Sequence, residues 1–265
     1  MSRTHLHISL CPLNLGGAAV LSSLNFNPLH FHNGIYEPEK IEKAIRSDDI
    51  HEPSTGLICL ENSLANGRIM PLETMNKIKK IAENRNIPVH LDGARLFNAA
   101  TALHANVKEI VSYVDSVSCC LSKGLCAPIG SVLCGTASFI KKARKYRKML
   151  GGGMRQTGIL AAAGIIAITK MTDRLVEDHA NARILAENLV EIPGISVELD
   201  AVQTNMVFAH FDWSHLDRLQ SWLDTHGVKI CAPLNSTIRF VTHYGITKKD
   251  VENLVHLLKQ FGGGE

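Results

Sequence analysis

A chain of 265 residues with 45% hydrophobic side chains has enough apolar material to bury a sizeable core, as one large domain or as a large and a small one. Its formal net charge of +3 is too slight to argue for a nucleic-acid partner. The seven cysteines, Cys11, Cys59, Cys119, Cys120, Cys126, Cys134 and Cys231, show no paired metal-ligand spacing and lie mostly in apolar runs, which predicts small core residues, no metal site and a reducing, cytoplasmic setting.

Leu6 to Leu15 is too short and too interrupted for a signal peptide. Thr55 to Glu61 and Ile87 to Asp92 read as buried strands, and Leu72 to Asn84 between them carries Met75, Ile78 and Ile81 at helical spacing, which makes a βαβ unit. Val117 to Leu121 and Gly130 to Cys134 predict two more strands, followed by a basic helix over Ser138 to Met149 whose Lys141 to Lys148 run reads mostly as a solvated face. Thr157 to Val190 is strongly helical, with Leu160, Gly164, Ile168, Leu175, Ala182, Leu185 and Leu189 as an apolar stripe and Pro193-Gly194 closing it. Its Thr157 to Thr169 part falls short of a membrane span and meets Lys170, so no membrane partner is expected. Ile195 to Leu199, Met206 to Ala209, Ser214 to His226, Ile238 to Thr242 and Lys248 to Gln260 then alternate strands and helices as a small α/β domain. The expected division is a large domain over 1–172 and a linking helix with a small domain over 173–265.

Two places in this pattern carry chemistry. The apolar run Val114 to Leu121 breaks into Ser122-Lys123-Gly124, delivering an amine from a strand end into a glycine-opened turn. Upstream, Val89-His90-Leu91-Asp92-Gly93-Ala94-Arg95 ends a strand in a carboxylate and supplies a guanidinium three residues later. An amine, a carboxylate and a guanidinium at one sheet edge suit pyridoxal phosphate (PLP) catalysis, in which a buried lysine amine holds the aldehyde and the carboxylate keeps the pyridine nitrogen protonated. Taken singly, each has a commoner explanation, since a lysine after a strand is usually a solvated end and a strand-end aspartate a helix cap or turn former.

The stretch His90-Leu91-Asp92-Gly93-Ala94-Arg95-Leu96-Phe97-Asn98-Ala99-Ala100 resembles the signature of the low-specificity L-threonine aldolases. Leu121-Ser122-Lys123-Gly124-Leu125 with Ala127-Pro128-Ile129-Gly130-Ser131-Val132 is similar to that family's PLP-lysine segment. Lys148-Met149-Leu150-Gly151-Gly152-Gly153-Met154-Arg155-Gln156 is similar to its glycine-rich stretch, and Gln203 to Val207 and Ile238 to His243 match its carboxy-terminal half. The resemblance implies an α/β chain with a large domain of the aspartate aminotransferase-like kind (PLP fold type I), lacking its amino-terminal part, and a small C-terminal α/β domain.

It further implies PLP-dependent aldol cleavage of L-threonine or L-allo-threonine to glycine and acetaldehyde. Lys123 would be the catalytic, cofactor-bearing amine, Asp92 the partner of the pyridine nitrogen, and Arg95 a neighbour of the ring oxygen and the substrate carboxylate. Arg239 would grip that carboxylate, its other reading being a strand-end surface charge. Lys148 and Arg155 would lie near the phosphate, Arg155 reaching in from a neighbouring subunit of a homo-oligomer, a dimer or tetramer; Arg155 also reads as an ordinary helix-start cation.

Three features depart from the family pattern. The serine-glycine-threonine-methionine-type loop that cradles the PLP phosphate has no counterpart, so the chain begins about where the family is already well inside its large domain. The Glu-Asn-Thr-His element, whose histidine lies at the substrate hydroxyl, reads Glu61-Asn62-Ser63-Leu64 here, and losing a general base costs roughly 10² to 10⁴ in rate. For the histidine that stacks on the ring, His5 and His7 both stay open. Two readings follow: a PLP lyase acting on threonine-like amino acids, or a truncated, catalytically weak or inactive relative that associates with complete subunits.

Overall fold

The computed structural model describes residues 5–8, 17, 19–47 and 49–262. The cysteine at position 11, the 11–14 segment and Gly16 lie outside the described residues, as do the side chains of His5 and His7. The chain divides into two compact units, Met1–Ala65 with Ile69–Thr169, and Asn66–Arg68 with Lys170–Glu265.

The first unit is built on a six-stranded sheet in the order β2-β1-β3-β4-β5-β6, with β1 His5–Ile8, β2 Asn25–Pro28, β3 Thr55–Glu61, β4 Val89–Gly93, β5 Ser116–Cys120 and β6 Ser131–Gly135. Strands β1 to β5 pair in parallel, and β6 runs antiparallel to β5. Parallel neighbours need crossovers. The helix Leu72–Asn84 provides the one from β3 to β4, and the helices Leu96–Leu103 and Val107–Val111 the one from β4 to β5. Met75, Ile78 and Ala82 recur at helical spacing and bury against Ile58 and Leu60 of β3, Val89 and Leu91 of β4 and Val117 of β5. Each large side chain so buried contributes about 1.5–3 kcal/mol. On β4 the alternation is clear: Val89 and Leu91 are buried in the core, while His90 and Asp92 point to the other face and are half-buried.

The basic helix is present as Ala137–Met149, begun by the Thr136 hydroxyl, which accepts from Phe139 N at 3.3 Å. None of its residues is buried, as its run of lysines and arginines requires. The continuous helix expected over Thr157 to Val190 is instead two helices, Gly158–Lys170 and Leu175–Leu189. The break at 171–174 is local: the Thr172 carbonyl accepts from Leu175 N and its hydroxyl donates to Asp173, so short polar side chains compete with the helix for backbone partners. The expected apolar stripe is buried throughout the second helix but in the first only at Gly164. In the first, Gly164 and Ala167 are buried while Ile159, Ile165, Ile166 and Ile168 are exposed.

The second unit has a three-stranded antiparallel sheet in the order β7-β8-β9, with β7 Ile195–Val197, β8 Met206–Phe211 and β9 Thr237–Val241. Its core joins Leu185 and Leu189, Val207 and Phe211, Leu219 and Leu223, and Val255 and Leu258 from the helices Leu175–Leu189, Leu216–Thr225 and Lys248–Gly262 and from β8. The short Asn66–Arg68 piece is tied in by the Thr204 hydroxyl, which donates to Gly67 O at 3.1 Å. Asp178 is fully buried, and both terminal nitrogens of Arg174 donate to its carboxylate, at 2.6 and 3.0 Å; this planar fork is what holds such a charge out of water.

Candidate active site

The parallel register sets Glu61 of β3 beside Asp92 of β4, and Asp92 beside Ser118 of β5. In-register neighbours share a sheet face, so these three side chains form a polar row at the carboxyl ends of the strands, where open α/β sheets bind ligands. The chain leaves β4 through Gly93, where an added Cβ would lie 2.7 Å from Ser118 O and 3.0 Å from Val117 Cγ2; only glycine lets the two strand ends approach so closely. Asp92 Oδ1 then accepts from Ala94 N at 3.0 Å, a local turn that fixes the carboxylate and aims the next residues at the start of the helix Leu96–Leu103.

After β5, Cys126 N donates to Lys123 O, Ala127 N to Leu121 O and Leu121 N to Gly130 O, each at 2.9 Å. This closes a tight turn whose Gly124, Leu125 and Ala127 are buried and whose Lys123 is exposed. The amine expected to be buried is instead exposed, because the turn buries the residues that follow it, Gly124, Leu125 and Ala127, and leaves Ser122 and Lys123 outside. Lys123 and Arg95 line one small cleft together with Phe97, Asn98, Cys120 and Leu125.

Glu61 is 7% exposed. Its Oε2 accepts from Ala65 N at 3.1 Å, and its own backbone N donates to the Tyr36 hydroxyl at 2.9 Å. Burial first, then the Asp92 carboxylate, push the Glu61 carboxyl up to about 7, against the Ala65 N–H and the charges of Arg95 and Lys123. Sequence reasoning placed Glu61 in a motif without giving it work; the available signal was an acidic residue closing an apolar strand beside the strand of Asp92. Two residues before Asp92, His90 sits with its Nδ1 2.8 Å from Ser116 Oγ, and burial lowers its pKa against the pull of Asp92. Burial, helped by Asp92, pushes the Cys59 thiol up to about 12, and burial, helped by Cys120 and Cys134, does the same for Cys119.

Other expected site residues lie elsewhere. Leu64 is buried in the first unit's core. The loop that puts it there is pinned by Asn62, whose side chain donates to Met70 O at 3.0 Å and accepts from Met70 N at 3.1 Å. Lys148 and Arg155 are exposed, on the helix Ala137–Met149 and on the segment after it, and neither lines the cleft beside Lys123. Arg239 belongs to the second unit, exposed on β9 opposite Phe208. Among the described residues, no three His, Cys, Asp or Glu side chains are grouped to hold a metal ion. The donor set of the cleft and the adjoining polar row does suit PLP: an accessible amine for the aldehyde, a carboxylate for the ring nitrogen and a guanidinium for the ring oxygen.

Residues 4–212 match the Beta-eliminating lyase family. The chain is 44% identical to low-specificity L-threonine aldolase 1 of Arabidopsis thaliana over 235 residues, covering 86% of this chain and 66% of that protein. It is 41% identical to low specificity L-threonine aldolase of Escherichia coli K12 over 237 residues, covering 89% and 69%. The chain therefore spans about two thirds of the length of these relatives. In fold it is similar to the threonine aldolase of Leishmania major, with a TM-score of 0.77, 17% identity and coverage of 98% of this chain and 78% of that one. The α/β architecture expected from the resemblance is the one observed, and with a strand-end lysine, aspartate and arginine set in that fold, the chain belongs to the low-specificity L-threonine aldolase family of beta-eliminating lyases.

Proposed function

We propose that this chain is a PLP-dependent aldehyde-lyase that cleaves L-threonine or L-allo-threonine to glycine and acetaldehyde. The observation that carries this reading is the cleft shared by Lys123 and Arg95 next to the Asp92 strand end, in a member of that family. When bound, PLP would supply an electron sink for the pair left on Cα as the Cα–Cβ bond opens.

The rest falls to the chain. Lys123 would hold the cofactor through its amine. Asp92 would face the ring nitrogen, where a carboxylate favours the protonated pyridine. Arg95 faces the ring oxygen, and Arg239 is the proposed partner of the substrate carboxylate, its rigid fork meeting the two oxygens in parallel charge-assisted hydrogen bonds. Lys148 and Arg155 are proposed for the phosphate, Arg155 acting across a subunit contact, so that a homo-oligomer, dimer or tetramer, is the working form. The apolar Leu64 cannot take the β-hydroxyl proton, and this lowers the expected rate. We assign cofactor binding to 1–172 and the linking helix and small domain to 173–265. We place the protein in the cytoplasm; no helix among the described residues is long and apolar enough to cross a membrane.

Purified protein mixed with PLP should develop the visible absorption of a lysine-linked cofactor and release glycine from threonine, and Lys123→Ala should abolish both. Cofactor uptake without glycine above the Lys123→Ala background would leave the alternative, an inactive relative that associates with complete subunits.

A further inference from the structure

Glu61 is a buried acid that the reaction outlined above leaves without a task. It closes β3 in register with Asp92 on the neighbouring parallel strand, which sets the two backbones roughly 4.8 Å apart with both side chains on one face. Two carboxyl groups side by side on one sheet face repel one another when both are ionised.

The groups facing Glu61 can be named from each neighbouring element. From its own strand comes Cys59, and from β4 come Asp92 and, two residues before it, His90. From the turns after β4 and β5 come the cations Arg95 and Lys123, whose charges are felt at Glu61. The Tyr36 hydroxyl is occupied with Glu61 N, and Ala65 N with Oε2. The Ala65 contact fixes the carboxyl in place, and a glutamine oxygen could keep it.

We propose that Glu61 is a positioning residue that forms a coupled carboxyl pair with Asp92, carrying one exchangeable proton so that its ionisation sets the charge Asp92 presents at the ring-nitrogen position. The pair itself is a property of the protein alone; its effect on the cofactor rests on the PLP reading above. With Glu61 protonated, the strand ends carry one negative charge. With Glu61 ionised they carry two, and a protonated pyridine ring is held more firmly. The proton that Glu61 loses goes to solvent or to the ring nitrogen, with no change in oxidation state.

The test is carbon-13 NMR of the full chain with labelled glutamate carboxyls, titrated without cofactor. One carboxyl should titrate near neutral pH, two or more pH units above the exposed glutamates, and be missing in Glu61→Gln. Its midpoint should fall in Asp92→Asn, which removes the neighbouring charge but not the burial, and rise in Lys123→Ala, which removes an opposing cation at an exposed position and leaves the core intact. With PLP added to the wild type, the midpoint should fall, because a cation now adjoins the pair.

A Glu61 resonance that titrates with the exposed glutamates overturns the proposal. So does a midpoint that does not fall in Asp92→Asn. The absorption of added PLP reports separately on the cofactor reading: its failure to bind would end that reading while leaving the cofactor-free titration to decide the pair.

Discussion

Because Glu61 keeps its proton in the folded chain at a pH where an unfolded glutamate has lost it, Glu61→Gln should change how stability depends on pH. Moving this carboxyl from its ordinary 4.5 to about 7 corresponds to about 3 kcal/mol of differential interaction between its two protonation states. The sign follows from the raised value: the folded state binds more protons than the unfolded one between about 4.5 and 7, so stability falls as pH rises through that window. The contribution is fully present below about 4.5 and lost above about 7. Glutamine stays neutral throughout and retains an oxygen for Ala65 N. Urea unfolding at pH 5 and pH 8 should therefore show wild type losing about 2.5 kcal/mol relative to Glu61→Gln, since pH 5 already lies inside the window. Parallel pH dependences in the two proteins would refute the reasoning, since they would mean that Glu61 ionises without cost where it sits.

Gly93→Ala should destabilise the first unit by about 1–3 kcal/mol in denaturant unfolding and weaken PLP uptake, because its Cβ would press on Ser118 O at 2.7 Å and part the Asp92 and Ser118 strand ends; unchanged unfolding and uptake would contradict the close approach. Brief alkylation at pH 8 followed by peptide mass spectrometry should mark the exposed Cys126, Cys134 and Cys231 while leaving Cys59 and Cys119 unmodified, since burial keeps the latter two as thiols up to about 12; equal labelling of all five would contradict that burial.

Much of the framework was legible in the sequence because the relevant signals are local. Thr55–Glu61 and the helix Leu72–Asn84 match their expected bounds, the one an apolar β-prone run, the other a 3.6-residue period from Met75 to Ile78. The break in the helix expected over 157–190 is not legible in the sequence, because propensity says nothing about Thr172 and Asp173 pairing with each other and with the backbone there. The first two strands are hard to see in the sequence because each has only four residues, too few for the alternation in Asn25–Pro28 to establish a period, and Pro28 argues against a strand. The helix Leu96–Leu103 was seen only as part of a motif.

At the site, Lys123, Asp92 and Arg95 could be picked out because each follows or ends an apolar strand. What joins Glu61 to Asp92 is a register between residues 31 positions apart, and no periodicity along the chain encodes a register. The exposure of Lys123 and the burial of Leu64 were equally out of reach. Both depend on how a turn and a loop close, through the Leu121 and Gly130 pairing and the Asn62 and Met70 pairing respectively.

Lys123 is the one amine proposed to capture a pyridoxal aldehyde so that a carbon–carbon bond can open. The most direct measurement is glycine release from threonine by the PLP-loaded full chain beside its Lys123→Ala variant, read together with cofactor absorption. The Lys123 assignment predicts glycine and a lysine-linked absorption in the wild type and neither in the variant. Equal absorption or equal glycine in the two proteins would contradict it.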